Sequence, residues 1–180
     1  MSTSDKNLFE QEAYDYLQQL ANDWQLTVSE HEMQWIHQFQ EILLPLVQSI
    51  DAPPRYLGFV MLRSRLLYND YFYEIHSYDD EWYLKPYHYL ADLPVADFFQ
   101  IQLDTARAYL ETKRKRVMDK VCITDIQHII NKHLTLFTNI CNRVLTQAVL
   151  TLPRPNTFND TIIYISELYE EPTIIPKEAD

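Results

Sequence analysis

Six histidines and two cysteines are the residues of this 180-residue chain best suited to metal or nucleophilic chemistry. His31, Glu32 and His37 lie close together, but on a helix His31 and His37 point to different faces, so one ion could not take both. Asp125 and His128 would share a helix face and resemble half of a carboxylate-bridged dimetal site. The second Glu-x-x-His that such a site needs is missing, so the pair reads as a solvated polar face. Cys122 and Cys141 have no metal-like neighbours, and Cys141 falls on an apolar helical stripe, where a thiol is core. Ser77 follows His76, yet neighbours on a strand face opposite ways. Ser29 serves as a helix cap, and no serine sits in a nucleophile elbow. With one glycine in the whole chain, phosphate-cradling and dinucleotide-binding loops are excluded. No catalytic residue, metal ligand or cofactor is assigned.

Charge offers more. Lys113, Arg114, Lys115 and Arg116, with Lys120, form a basic segment that could contact phosphates. It has no interleaved aromatics, and its bases can instead balance an acidic N-terminus. Arg63 and Arg65 could grip a carboxylate or phosphate, but Asp70 and Glu74 are near enough in sequence to pair with them. The strongest functional signal is the stretch Tyr68 to Tyr89, in which nine of 22 residues are aromatic, mixed with carboxylates. Tyrosine and tryptophan supply contact area at small entropic cost, and carboxylates steer a basic partner. A hairpin turning at Asp79-Asp80 would set Ser77 opposite Trp82, Ile75 opposite Leu84, Glu74 opposite Lys85, His76 opposite Tyr83 and Phe72 opposite Tyr87. Tyr71, Tyr73, Ile75 and Leu84 then face the core. Phe72, Glu74, His76, Asp79, Asp80, Glu81, Trp82, Tyr83 and Tyr87 form the expected partner-binding surface.

The elements that position these residues are mostly helical. Phe9, Ala13, Tyr16, Leu17, Leu20 and Trp24 mark a helix over 5–24. Ser29 and Glu32 have the spacing of a capping box opening a second helix over 30–50, kinked or ended near Leu44 by Pro45. Residues 55–68 fit a helix or a buried strand, and the helix is preferred because it gathers Arg63, Ser64 and Arg65 at one end. Pro94 opens a helix striped by Val95, Phe99, Leu103, Ala106 and Leu110, with 113–116 projecting beyond the core. Thr124 caps a long helix striped by Ile126, Ile130, Leu134, Phe137, Cys141, Val144 and Ala148. Thr161 to Leu168 reads as a strand pairing with the hairpin.

The expected fold is α+β and mostly α: a four- to five-helix bundle with a small antiparallel sheet made of the hairpin and the C-terminal strand. Residues 1–169 form a single domain with the hairpin near 71–87, and 170–180 an acidic flexible tail. Fifteen Lys and Arg against 26 Asp and Glu give a net charge of −11, which favours basic proteins and repels nucleic acid and anionic membrane. Net charge is −6 over 1–32, −5 over 160–180 and +3 over 93–150. No signal peptide, membrane span or disulfide framework is visible, which points to a reducing, cytoplasmic setting. The functional expectation is a non-enzymatic protein-binding module, such as an acidic inhibitor or immunity-type adaptor of a basic protein. The alternatives are a nucleic-acid-associated regulator acting through 113–120 and an enzyme with a site dispersed over the helices.

Overall fold

The computed structural model describes residues 3–80, 86–116, 121–153, 156–167 and 171–176. The fold is α+β and predominantly helical. Packing divides the chain into two compact units, Met1–Glu30 with Ala96–Cys141 and His31–Val95 with Asn142–Asp180.

The first unit is helical. It contains α1 (Thr3–Glu30), α4 (Ala96–Arg116), α5 (Ile123–His133) and the first half of α6 (Thr135–Leu150). On α1, Phe9, Ala13, Leu17 and Ala21 recur at every fourth position and are buried. Phe98, Phe99, Leu103, Ala106 and Leu110 of α4 are buried likewise. Each such large side chain contributes roughly 1.5–3 kcal/mol by leaving water. The two helices run antiparallel. Glu12 meets Lys113, the Tyr16 ring stacks on Tyr109 at 3.5 Å, and the Trp24 ring meets the edge of Phe98 at 5.3 Å.

Several local expectations fail here for identifiable reasons. Ser29 does not open a helix. Its hydroxyl donates to the Gln25 carbonyl at 2.8 Å, α1 continues to Glu30, and α2 begins beyond His31 without a side-chain cap. The cap of α5 is Cys122, not Thr124, because Asp125 Oδ2 accepts both the Cys122 backbone N–H (2.9 Å) and its thiol (3.0 Å). The single long helix is divided at Leu134, where the N–H turns to the Asn131 carbonyl in a tighter turn. Pro94 closes a strand instead of opening α4.

The second unit is a five-stranded sheet with α2 (Glu32–Gln48), the short α3 (Arg63–Leu67), the second half of α6 and a 3-10 turn at Asn156–Asp160. Its strands are β1 (Tyr56–Met61), β2 (Phe72–Tyr78), β3 (His88–Pro94), β4 (Ile162–Glu167) and β5 (Thr173–Ile175), in the order β3-β2-β1-β4-β5. Tyr56–Met61 is therefore the central strand and not a helix. Six apolar residues in succession leave no polar face for a helix to turn to water, whereas a central strand buries both faces. The sheet is mixed instead of antiparallel, because β1 and β4 run parallel. β4 thus joins the sheet beside β1 and not beside the hairpin. β5 lies inside 170–180, the expected flexible tail. It pairs with β4 and buries Ile175. Pro45 does not end α2. It stands in the last turn, where a missing N–H costs one bond, and Ser49 N–H still reaches its carbonyl at 3.0 Å.

Register sorts the sheet into two faces. Leu57, Phe59, Met61, Tyr73, Ile75, Leu93, Ile163 and Ile165 share one, and the Tyr73 hydroxyl donates to Asn142 on α6 there. Gly58, Glu74, His76, Tyr89, Asp92 and Tyr164 share the other. The Gln40 amide of α2 donates to the Ala148 carbonyl (3.2 Å) and Thr151 Oγ1 (2.9 Å), holding α2 to α6.

Candidate protein-recognition surface

The hairpin forms, but with a different partner strand. Ser77 pairs with His88, His76 with Tyr89, Glu74 with Asp92 and Phe72 with Pro94, and the register shifts between Ile75 and His76. The expected register, with 81–87 as the return strand, is therefore replaced. Asp-Asp lacks the glycine that a two-residue turn favours; β2 ends at Tyr78, and the strand that pairs with it begins at His88. Moving the return strand onward brings Leu93 opposite Tyr73 on the buried face, where an apolar side chain is needed.

The alternation along β2 follows the sequence reading. Tyr73 and Ile75 are fully buried, and Phe72, Glu74 and His76 lie on the other face. That face is not simply exposed. His76 is only 2% exposed; its Nε2 is 2.9 Å from Glu74 Oε2, and its ring stacks on Tyr87 at 3.7 Å. Arg65 pairs with Glu74 at 3.1 Å and Asp70 at 3.7 Å, and its guanidinium lies 4.5 Å over Phe72. Arg65 therefore spends its charge on local carboxylates, and Arg63 likewise pairs with the buried Glu167. Burial pushes the His76 pKa below its ordinary value, partly opposed by Glu74, so the ring is neutral at neutral pH. Beside it, the sole glycine is explained. A Cβ at Gly58 would overlap the buried Tyr164 phenol, which lies across the strand at that position.

The outer part of the ribbon stays exposed. Asp79, Asp80, His88 and Asp92 are exposed, as are Tyr87 (46%) and Tyr89 (54%). Asp80 lies 3.9 Å from Arg55. Partial desolvation and a hydrogen bond to Asp92 hold the Tyr89 phenol above its ordinary pKa. Of the expected surface, then, Asp79, Asp80 and Tyr87 are accessible, and Phe72, Glu74 and His76 are engaged within the sheet. Glu81, Trp82 and Tyr83 lie outside the described residues. Tyr89 and Asp92 are exposed on the same ribbon outside the expected set, although the aromatic run extends to Tyr89.

The basic segment lies at the end of α4. Lys113 pairs with Glu12 at 3.0 Å and sits 5.6 Å from the Tyr109 ring centroid, so it balances the acidic α1. Arg114 is half-buried, Lys115 and Arg116 are exposed, and Lys120 lies outside the described residues. Asp125 is bound by Cys122 and by Lys6 at 2.8 Å, which holds its carboxyl far below the ordinary range. It is not free to join His128 as a ligand. Among the described residues, no group of three or more His, Cys, Asp and Glu is placed to hold a metal, and no helix is long and apolar enough to cross a membrane. Neither Cys122 nor Cys141 is in a disulfide. Open grooves occur among the described residues. One, of about 350 Å³, lies between α1 and α5 beside Tyr14 and His133; another, of about 590 Å³, lies between α2 and α6 beside His37 and Arg143. Comparison with protein-family models, curated proteins and solved structures finds no match to this chain.

Proposed function

We propose that this chain is a non-enzymatic protein-binding module, an acidic inhibitor or adaptor that captures a basic partner through the outer surface of the β2–β3 ribbon. The observation that carries the reading is the coincidence of exposed aromatics, Tyr87 and Tyr89, with exposed carboxylates, Asp79, Asp80 and Asp92, on one ribbon of a molecule with net charge −11. Rings provide desolvated anchors, and carboxylates accelerate and orient the approach of a cationic protein. Glu74 and His76 underlie this surface as support: the His76–Tyr87 stack holds Tyr87 against the sheet.

The test is affinity capture from the source proteome at low and high salt with the wild-type chain and an Asp79→Lys/Asp80→Lys/Tyr89→Ala variant. The expected result is a specific partner of positive net charge, retained by the wild type at low salt, weakened by salt and lost by the variant. Identical capture by both proteins would show that the surface is wrongly assigned.

A further inference from the structure

We infer that the partner of this surface offers an extended, lysine- or arginine-rich segment that adds as a sixth strand to the outer edge of β3. The inference rests on the protein-binding reading above and specifies how binding occurs. Among the described strands, β3 pairs with β2 alone and ends the sheet order, so its outer backbone groups have no strand partner. A strand edge without a strand partner is a template for main-chain hydrogen bonding, with side-chain specificity added by the residues flanking it. Here those residues are defined. Tyr89 and Asp92 project on the face that also carries Glu74 and His76, while Leu93 faces the core. Asp79 and Asp80 stand where the chain leaves β2, at the same end of the ribbon as His88. A segment lying along His88–Asp92 therefore runs between carboxylates at both ends, with a tyrosine ring between them. Alternating cationic and small apolar residues fit that order.

Two further features bound the proposal. Pro94 has no N–H to offer an added strand, so the useful outer edge is His88–Asp92. Pairing with the same edge of a second copy would bring Asp79, Asp80 and Asp92 of both chains together on molecules of net charge −11. Electrostatics therefore selects a cationic segment over self-association.

The probe is a synthetic alternating Lys-Val peptide of about ten residues, used with the full chain at low salt. Its controls are the same peptide N-methylated at alternate amides and a Glu-Val peptide. Backbone amide exchange is read residue by residue by NMR. At tenfold excess over Kd, exchange at the outward-facing amides of His88–Asp92 slows about tenfold, and neither control has this effect. Equal binding by the N-methylated peptide would overturn strand addition while leaving a side-chain-mediated basic interaction standing. Failure of both basic peptides to bind would overturn strand addition and the basic-partner reading together. Protection of the same amides that rises with protein concentration in the absence of peptide would assign the edge to self-pairing and overturn the proposal.

Discussion

Replacing Gly58 by alanine tests the packing beneath the ribbon, because two effects of opposite sign compete there. Glycine in a strand interior is entropically costly, so alanine alone would gain about 0.5–1 kcal/mol. Gly58 has no positive φ, so its backbone suits alanine. Against this, the added Cβ falls on the Tyr164 ring, which is 3% exposed and has little room to retreat. Overpacking of this kind costs about 1–3 kcal/mol. The net expectation is a loss of roughly 1–2 kcal/mol, which lowers the urea midpoint by about 0.5–1 M for a slope near 2 kcal/mol/M. Tyr164→Leu removes the obstructing ring and leaves a void that the new Cβ partly fills. The double variant is therefore more stable than the sum of the single losses, with a coupling of about 1 kcal/mol. The assay is equilibrium urea unfolding of the four proteins, followed by fluorescence and circular dichroism. Since Gly58 lies opposite His76 in register, the His76 ring resonance should move in Gly58→Ala as well. A Gly58→Ala chain as stable as the parent, or strictly additive losses, would refute the steric account.

Other expectations follow from the same contacts. Burial lowers the His76 pKa from its ordinary 6.5, so the unfolded chain binds the proton first. Its contribution is then complete above that value and lost as pH falls below it. His133 acts in the same direction through burial and Lys132, so His76→Gln should reduce, not abolish, the fall of the urea midpoint between roughly pH 7.5 and 5.5. Asp125→Ala removes the carboxylate that accepts from the α5 cap residue Cys122 and pairs with Lys6, and should cost about 1 kcal/mol, seen as a lower Tm at neutral pH. Because the folded Asp125 pKa is depressed, that difference should vanish as acid protonates the carboxylate. Tyr73→Phe strips the hydroxyl from its bond to Asn142 and should lose about 1 kcal/mol. Tyr89→Ala, on an exposed edge, should change stability by less than about 0.5 kcal/mol while weakening partner capture.

The amino-acid order by itself determined the helical stripes. Phe9, Ala13 and Leu17, or Phe99, Leu103 and Ala106, repeat at the helix period, and burial of one face is a local consequence of that period. It also determined the alternation of β2, since Tyr73 and Ile75 could not both reach water if Phe72 and Glu74 did. Three things were decided only in the tertiary structure. Tyr56–Met61 became a strand because β2 and β4 lie on either side of it, a contact between segments about a hundred residues apart. The return strand of the hairpin was chosen at 88–94 because Leu93, and not Pro86 seven positions earlier, completes the buried face opposite Tyr73. The accessibility of the ribbon was likewise non-local: Arg65 covers Phe72 and Tyr87 covers His76, leaving Tyr89 and Asp92 at the edge. Periodicity is written in neighbouring residues and can be read from them. Strand partnership and burial depend on which distant segment arrives alongside, and no local pattern encodes that.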